Sequence, residues 1–131
     1  MSYGKSITIP APFAETVQRV RDELKAEGFG VLTEINVTAT LQEKLNEQME
    51  DYIILGACNP SLRHTALESD RDIGLLLPCN VIVRAVEGHT VVAALDPQIM
   101  VQLSDSAELK LVADEAAARL DRALSRLSSA A

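Results

Sequence analysis

The chain has 131 residues, 47% of them hydrophobic and 24% charged, which suits one packed domain over 1–131 and argues against disorder. With 12 Lys and Arg against 19 Asp and Glu, the net charge of −7 repels phosphate backbones and anionic lipid, so neither nucleic acid nor a membrane surface is an expected partner. Two Phe, two Tyr and no Trp also argue against a base-stacking platform.

No stretch nears the roughly 18 apolar residues that cross a bilayer. The opening Met1-Ser-Tyr-Gly-Lys-Ser6 lacks the basic-then-apolar pattern of an export signal. The expectation is a cytoplasmic chain whose two cysteines are thiols rather than a structural disulfide.

In chain order, Ser6–Ile9 reads as the tail of a strand stopped by Pro10 and Pro12. Pro12 suits the first turn of a helix carrying Phe13, Val17, Val20 and Leu24 at helical spacing, and Gly28 suits the left-handed residue that ends it. From Phe29 the period becomes two: Val31, Thr33, Ile35 and Val37 alternate with Leu32, Glu34 and Asn36, a half-buried strand with Glu34 on its polar face. Thr40 and Glu43 have capping-box spacing ahead of a short, mostly polar helix.

The segment Tyr52–Cys58 is apolar on both faces, as a strand covered on both sides would be, and a second copy of the chain is the expected cover on one of them. Pro60 opens a brief helix through Leu62, Ala66 and Leu67, followed by an acidic turn at Glu68, Asp70 and Asp72. Val81–Val86 and Thr90–Leu95 form a hairpin around Glu87-Gly88-His89. Asp96-Pro97 caps a short helix, and Asp105 and Glu108 open the longest one, lined by Leu109, Val112, Ala116, Leu120, Ala123 and Leu127. Arg119, Arg122 and Arg126 cluster near its negative end. The order β-α-β-α-β-α-β-β-α predicts an α+β two-layer sandwich, a mixed, mostly antiparallel sheet with helices on one face.

Two Cys-Asn pairs sit at strand ends, Gly56-Ala-Cys58-Asn59-Pro60 and Leu77-Pro78-Cys79-Asn80-Val81. If those strands pair antiparallel, both thiols fall at one end of the sheet; a parallel crossover separates them. The blocks Tyr52–Pro60 and Leu76–Val83, with Gly28-Phe29, Glu34-Ile35 and Asp96-Pro97, resemble the family catalogued as domain of unknown function 302 across most of the chain. The resemblance implies an α+β fold that tends to dimerise and brings no assigned catalytic residues. In similar sequences the helix after Cys-Asn-Pro often reads Leu-Ala-His-x-Ala-Leu. Here it is Leu62-Arg63-His64-Thr65-Ala66-Leu67, with Arg63 in place of the small Ala, which bears on packing and ligand approach on that side.

Each candidate residue carries a structural and a functional reading. Cys58 and Cys79 serve as small apolar filler, or as a redox or soft-metal pair, with a helix N-terminus lowering the pKa of Cys58. Asn59 and Asn80 are turn and cap residues, or amides that orient a small polar ligand. His64 is a solvated helix residue, or a nitrogen donor that completes a weak Cys58, Cys79, His64 metal set or deprotonates a thiol. Tyr52 is placed to lend a hydroxyl to Glu34. Phosphate loops, serine-hydrolase elbows and His-Glu-x-x-His zinc motifs are missing from the sequence. The expected function is a homodimeric, non-catalytic module that binds a metal ion or small molecule near the Cys-Asn blocks. A thiol enzyme using Cys58, and a structural or interaction domain without ligand, are the alternatives.

Overall fold

A computed structural model describes residues 3–104 and 106–129. Its strands are β1 (Gly4–Ile9), β2 (Gly30–Asn36), β3 (Tyr52–Cys58), β4 (Cys79–Val86) and β5 (His89–Leu95). The helices are α1 (Phe13–Ala26), α2 (Val37–Leu45), α3 (Pro60–Ser69), α4 (Gln98–Leu103) and α5 (Ala107–Ser129), with a 3-10 turn at Arg71–Leu76. The sheet order is β1-β5-β4-β3-β2. The α+β architecture is as expected, but the sheet is antiparallel in every ladder rather than mixed.

Alternation along the strands sends Ile9, Leu55, Val81, Val83 and Val92 to one face, where they meet Val20 and Leu24 of α1 and Leu120, Leu124 and Leu127 of α5. Burying a Val or Leu of this kind contributes about 1.5–3 kcal/mol. A second, smaller core joins Ala66 of α3, Ile73 of the 3-10 turn, Met100 of α4 and Leu109, Val112 and Ala113 of α5. The other sheet face carries Tyr52, Ile54, Ile82, Val91 and Leu95, all only half-buried.

Gly28 ends α1 as expected, with φ at +83°. Its N–H donates to Lys25 O (3.0 Å) and that of Phe29 to Leu24 O (2.9 Å), the double bond of a Schellman turn. Pro12 precedes α1 as its extended cap instead of entering the first turn. The arginines expected to serve the dipole of α5 reach across to α1 instead. Arg122 and Arg126 pair with the Glu27 carboxylate at 3.0 and 2.7 Å, and Arg119 donates to Glu27 O at 3.1 Å. Arg126 comes first among the groups that hold the Glu27 carboxyl below its ordinary range.

The half-buried reading of β2 needs correction. The register against β3 shifts between Val31 and Thr33, so Leu32 is an extra, bulged residue. One inserted residue swaps the faces of everything after it. Val31 stays against the core, Ile35 turns outward and is 50% exposed, and Glu34 faces the helix layer, where Arg21 of α1 pairs with it. Val37 belongs to α2, and the cap of that helix is Asn36, whose Oδ1 accepts from Ala39 N at 2.9 Å; Thr40 lies inside it. Asp105 falls outside the described residues, and Ser106 Oγ accepts the Leu109 amide at the start of α5 (3.4 Å).

Candidate functional site

Because β3 and β4 run antiparallel with Ala57 opposite Cys79, the two cysteines fall at the same end of the sheet. Both are buried and no bridge joins them. They line one narrow crevice with Phe29, Leu62, Ala66 and Met100. Cys58 also reaches an outer cleft of about 190 Å³, walled by Leu32, Arg63, Leu67, Gly74, Leu77 and Pro78. The β2 bulge supplies Leu32 to this cleft, the first turn of α3 supplies Arg63, and the 3-10 turn supplies Gly74.

A helix N-terminus was expected to favour a Cys58 thiolate. Instead, burial pushes the Cys58 thiol up and outweighs the opposing pull of Arg63. Its S–H donates to Asn59 O at 3.9 Å. The Cys79 thiol is pushed up to about 11, by burial first and then by Cys58. Both groups are therefore protonated near neutral pH, which counts against Cys58 as a ready nucleophile.

Asn59 joins two turns. Its Oδ1 accepts the Leu62 amide (3.1 Å), capping α3 as the sequence suggested, and its Nδ2 donates to Gly28 O in the Schellman turn (3.0 Å). One N–H and one acceptor site of the amide are thereby engaged within the protein.

The remaining candidates are scattered. His64 points away on the outer face of α3, with its side chain 77% exposed and Nε2 3.5 Å from Glu68 Oε1. It does not join the cysteines, and among the described residues no three His, Cys, Asp or Glu side chains gather as a metal site. The expected Cys58, Cys79, His64 ligand set is therefore not assembled, because His64 lies on a different side of α3 from the crevice. Glu34 and Tyr52 do not meet either: Glu34 turns to Arg21, while Tyr52 starts β3 on the opposite sheet face. There Tyr52 and Asn80 line a shallow groove of about 240 Å³ with Tyr3, Ile82 and Leu95.

Sequence reasoning passed over two residues at this end of the sheet. Arg63 was read only as a departure from a small residue, yet it is the charged group of the outer cleft. Its position on α3, one turn beyond the Asn59 cap, was the available signal. Gly56 is required by contact: an added Cβ would lie 2.2 Å from Thr33 Oγ1 and 2.8 Å from Pro78 Cγ. Its place beside Cys58 in an apolar strand was the only hint.

No curated protein matches the chain. A solved structure does: the crystal structure of an uncharacterised conserved DUF302 protein from Bacillus stearothermophilus is similar at 31% identity and a TM-score of 0.89, covering 97% of this chain and 99% of that one. The family model for the domain of unknown function DUF302 matches residues 5–127, so the end-of-sheet cysteines, the Asn59 clasp and the cleft all lie within the matched span. The chain belongs to the DUF302 family.

Proposed function

We propose that this protein is a non-catalytic binding module, a cytoplasmic homodimer that holds a small molecule in the cleft beside Cys58. The observation that carries the reading is the cleft itself, an apolar recess of about 190 Å³ with one guanidinium, Arg63, in its wall. A mostly apolar concavity with a single well-placed polar group suits ligand binding. The protonated, buried thiols support binding over thiol catalysis, and the lack of a third donor beside them among the described residues supports a small molecule over a metal ion.

The open sheet face supports the dimer, with a second copy as its occupant. Among the described strand residues on that face only Arg84 is charged, and it faces Glu50 at 3.7 Å. A chain with a net charge of −7 needs such a neutral surface to approach its own copy without like-charge repulsion. Matching Ile54, Ile82 and Leu95 from two copies would form an isologous interface. Two unbridged cysteines accord with a reducing compartment.

Native mass spectrometry of freshly purified protein tests both parts. The expected result is a dimer carrying a small-molecule adduct, and Gly74→Val, which fills the cleft, releases the adduct but leaves the dimer. The nearest atom to a Cβ on Gly74 is Leu67 Cδ2 at 3.8 Å, an ordinary contact, so branching starts without a backbone clash. Ile82→Asp is expected to yield monomers. An adduct that survives Gly74→Val puts the ligand elsewhere, and a wild-type monomer at micromolar concentration removes the dimer.

A further inference from the structure

Arg63 stands apart from the other arginines. Arg21, Arg71, Arg84, Arg122 and Arg126 each face a carboxylate within 4 Å, Arg119 faces both Glu115 and a carbonyl, and Arg19 donates to Leu127 O at 3.0 Å. Among the described residues Arg63 has neither kind of partner. It lies instead beside the Cys58 sulfur, half-buried, in a wall of leucine, proline and glycine. The thiol stays protonated in its buried setting and so leaves the guanidinium charge uncompensated. A half-buried cation without a counter-charge is costly, and a ligand anion would relieve that cost.

The rest of the cleft narrows the choice of anion. Among the described residues no second Lys or Arg lines it, so one negative charge is matched and a doubly charged phosphate monoester is not. A guanidinium fork fits the two oxygens of a carboxylate. The volume of about 190 Å³ lies below the ~300–1,000 Å³ of drug-sized pockets. We infer that the cleft selects a small monocarboxylate, its head held by Arg63 and its short apolar tail laid against Leu32, Leu77 and Pro78. The inference rests on the proposed small-molecule site and names the class of its ligand.

The test uses the full-length, 15N-labelled chain titrated with butanoate, butanamide, butylammonium and inorganic phosphate. Butanoate is expected to shift the amide signals of Arg63, Gly74 and Leu77 and to bind at least tenfold more tightly than the other three. Arg63→Gln is expected to reduce butanoate to the level of butanamide, and Arg63→Lys to recover part of the difference. Equal binding of acid and amide, tighter binding of phosphate, or unchanged butanoate binding in a folded Arg63→Gln variant each overturns the carboxylate class while keeping a site at the cleft. If neither butanoate nor butanamide moves any cleft signal, the site reading itself fails and the inference falls with it.

Discussion

Replacing Asn59 by Ala removes two hydrogen bonds that tie α3 to the end of α1. The first is the cap, Oδ1 accepting from Leu62 N at 3.1 Å, and losing an Asn cap costs typically about 1 kcal/mol. The second is Nδ2 donating to Gly28 O at 3.0 Å. Gly28 is exposed, so water replaces that donor, and the loss stays near the ~1 kcal/mol net value of an ordinary hydrogen bond, below the cost of a buried unsatisfied carbonyl. The total is about 2 kcal/mol, or a fall in Tm of roughly 7 °C for a chain of this length. Asn59→Ser separates the halves: it keeps a cap acceptor and loses the donor to Gly28 O, so its cost is about 1 kcal/mol. Equilibrium urea unfolding of the three proteins measures these differences at constant slope. If Asn59→Ser proves as destabilising as Asn59→Ala, or if both are neutral, the clasp reasoning is refuted.

Two further predictions concern the same end of the sheet. Gly56→Ala drives a Cβ to 2.2 Å from Thr33 Oγ1 and 2.8 Å from Pro78 Cγ. Overpacking of this kind costs about 1–3 kcal/mol, and adding Thr33→Ala is expected to recover part of it; strictly additive losses in the double variant would show that the clash is elsewhere. The Cys79 thiol, raised by burial from 9.0 to about 11, makes the folded chain hold a proton that the unfolded chain releases. Stability therefore falls as pH rises above about 9 and levels near 11, by up to about 3 kcal/mol. Cys79→Ala is expected to flatten this alkaline limb in thermal melts from pH 8 to 11, and an equally steep limb in the variant would exclude the thiol as its source.

Much of the architecture was readable from local chemistry. Gly28 after an amphipathic run, the Glu87-Gly88 turn with both φ values positive, and Asn59 ahead of Pro60 each follow from one residue's own conformational preference. The β2 bulge was not readable, because it exists only relative to β3, and its effect was to misplace Glu34 and Ile35. The capping-box spacing pointed to Thr40, whereas the cap falls at Asn36 because β2 ends there and α2 starts at Val37. At the candidate site, the pairing of the two Cys-Asn blocks depended on strand direction, which the sequence left open and the antiparallel ladder answers. Arg63 was noted as a replacement for a small residue and not as a candidate charge for the site, for a different reason. An arginine on a short helix is ordinary until it is seen to lack a carboxylate partner among the described residues, and that is a property of tertiary contacts.

The central claim is that a small molecule binds beside Cys58. A chemical-shift map of the labelled chain, recorded with a mixture of small acids, amides and alcohols on wild type and Gly74→Val, tests it most directly. The account predicts shifts confined to Leu32, Cys58, Arg63, Gly74 and Leu77 in wild type and their loss in the variant. Shifts centred on Tyr52 and Asn80 across the open sheet face, or persisting in Gly74→Val, would contradict it.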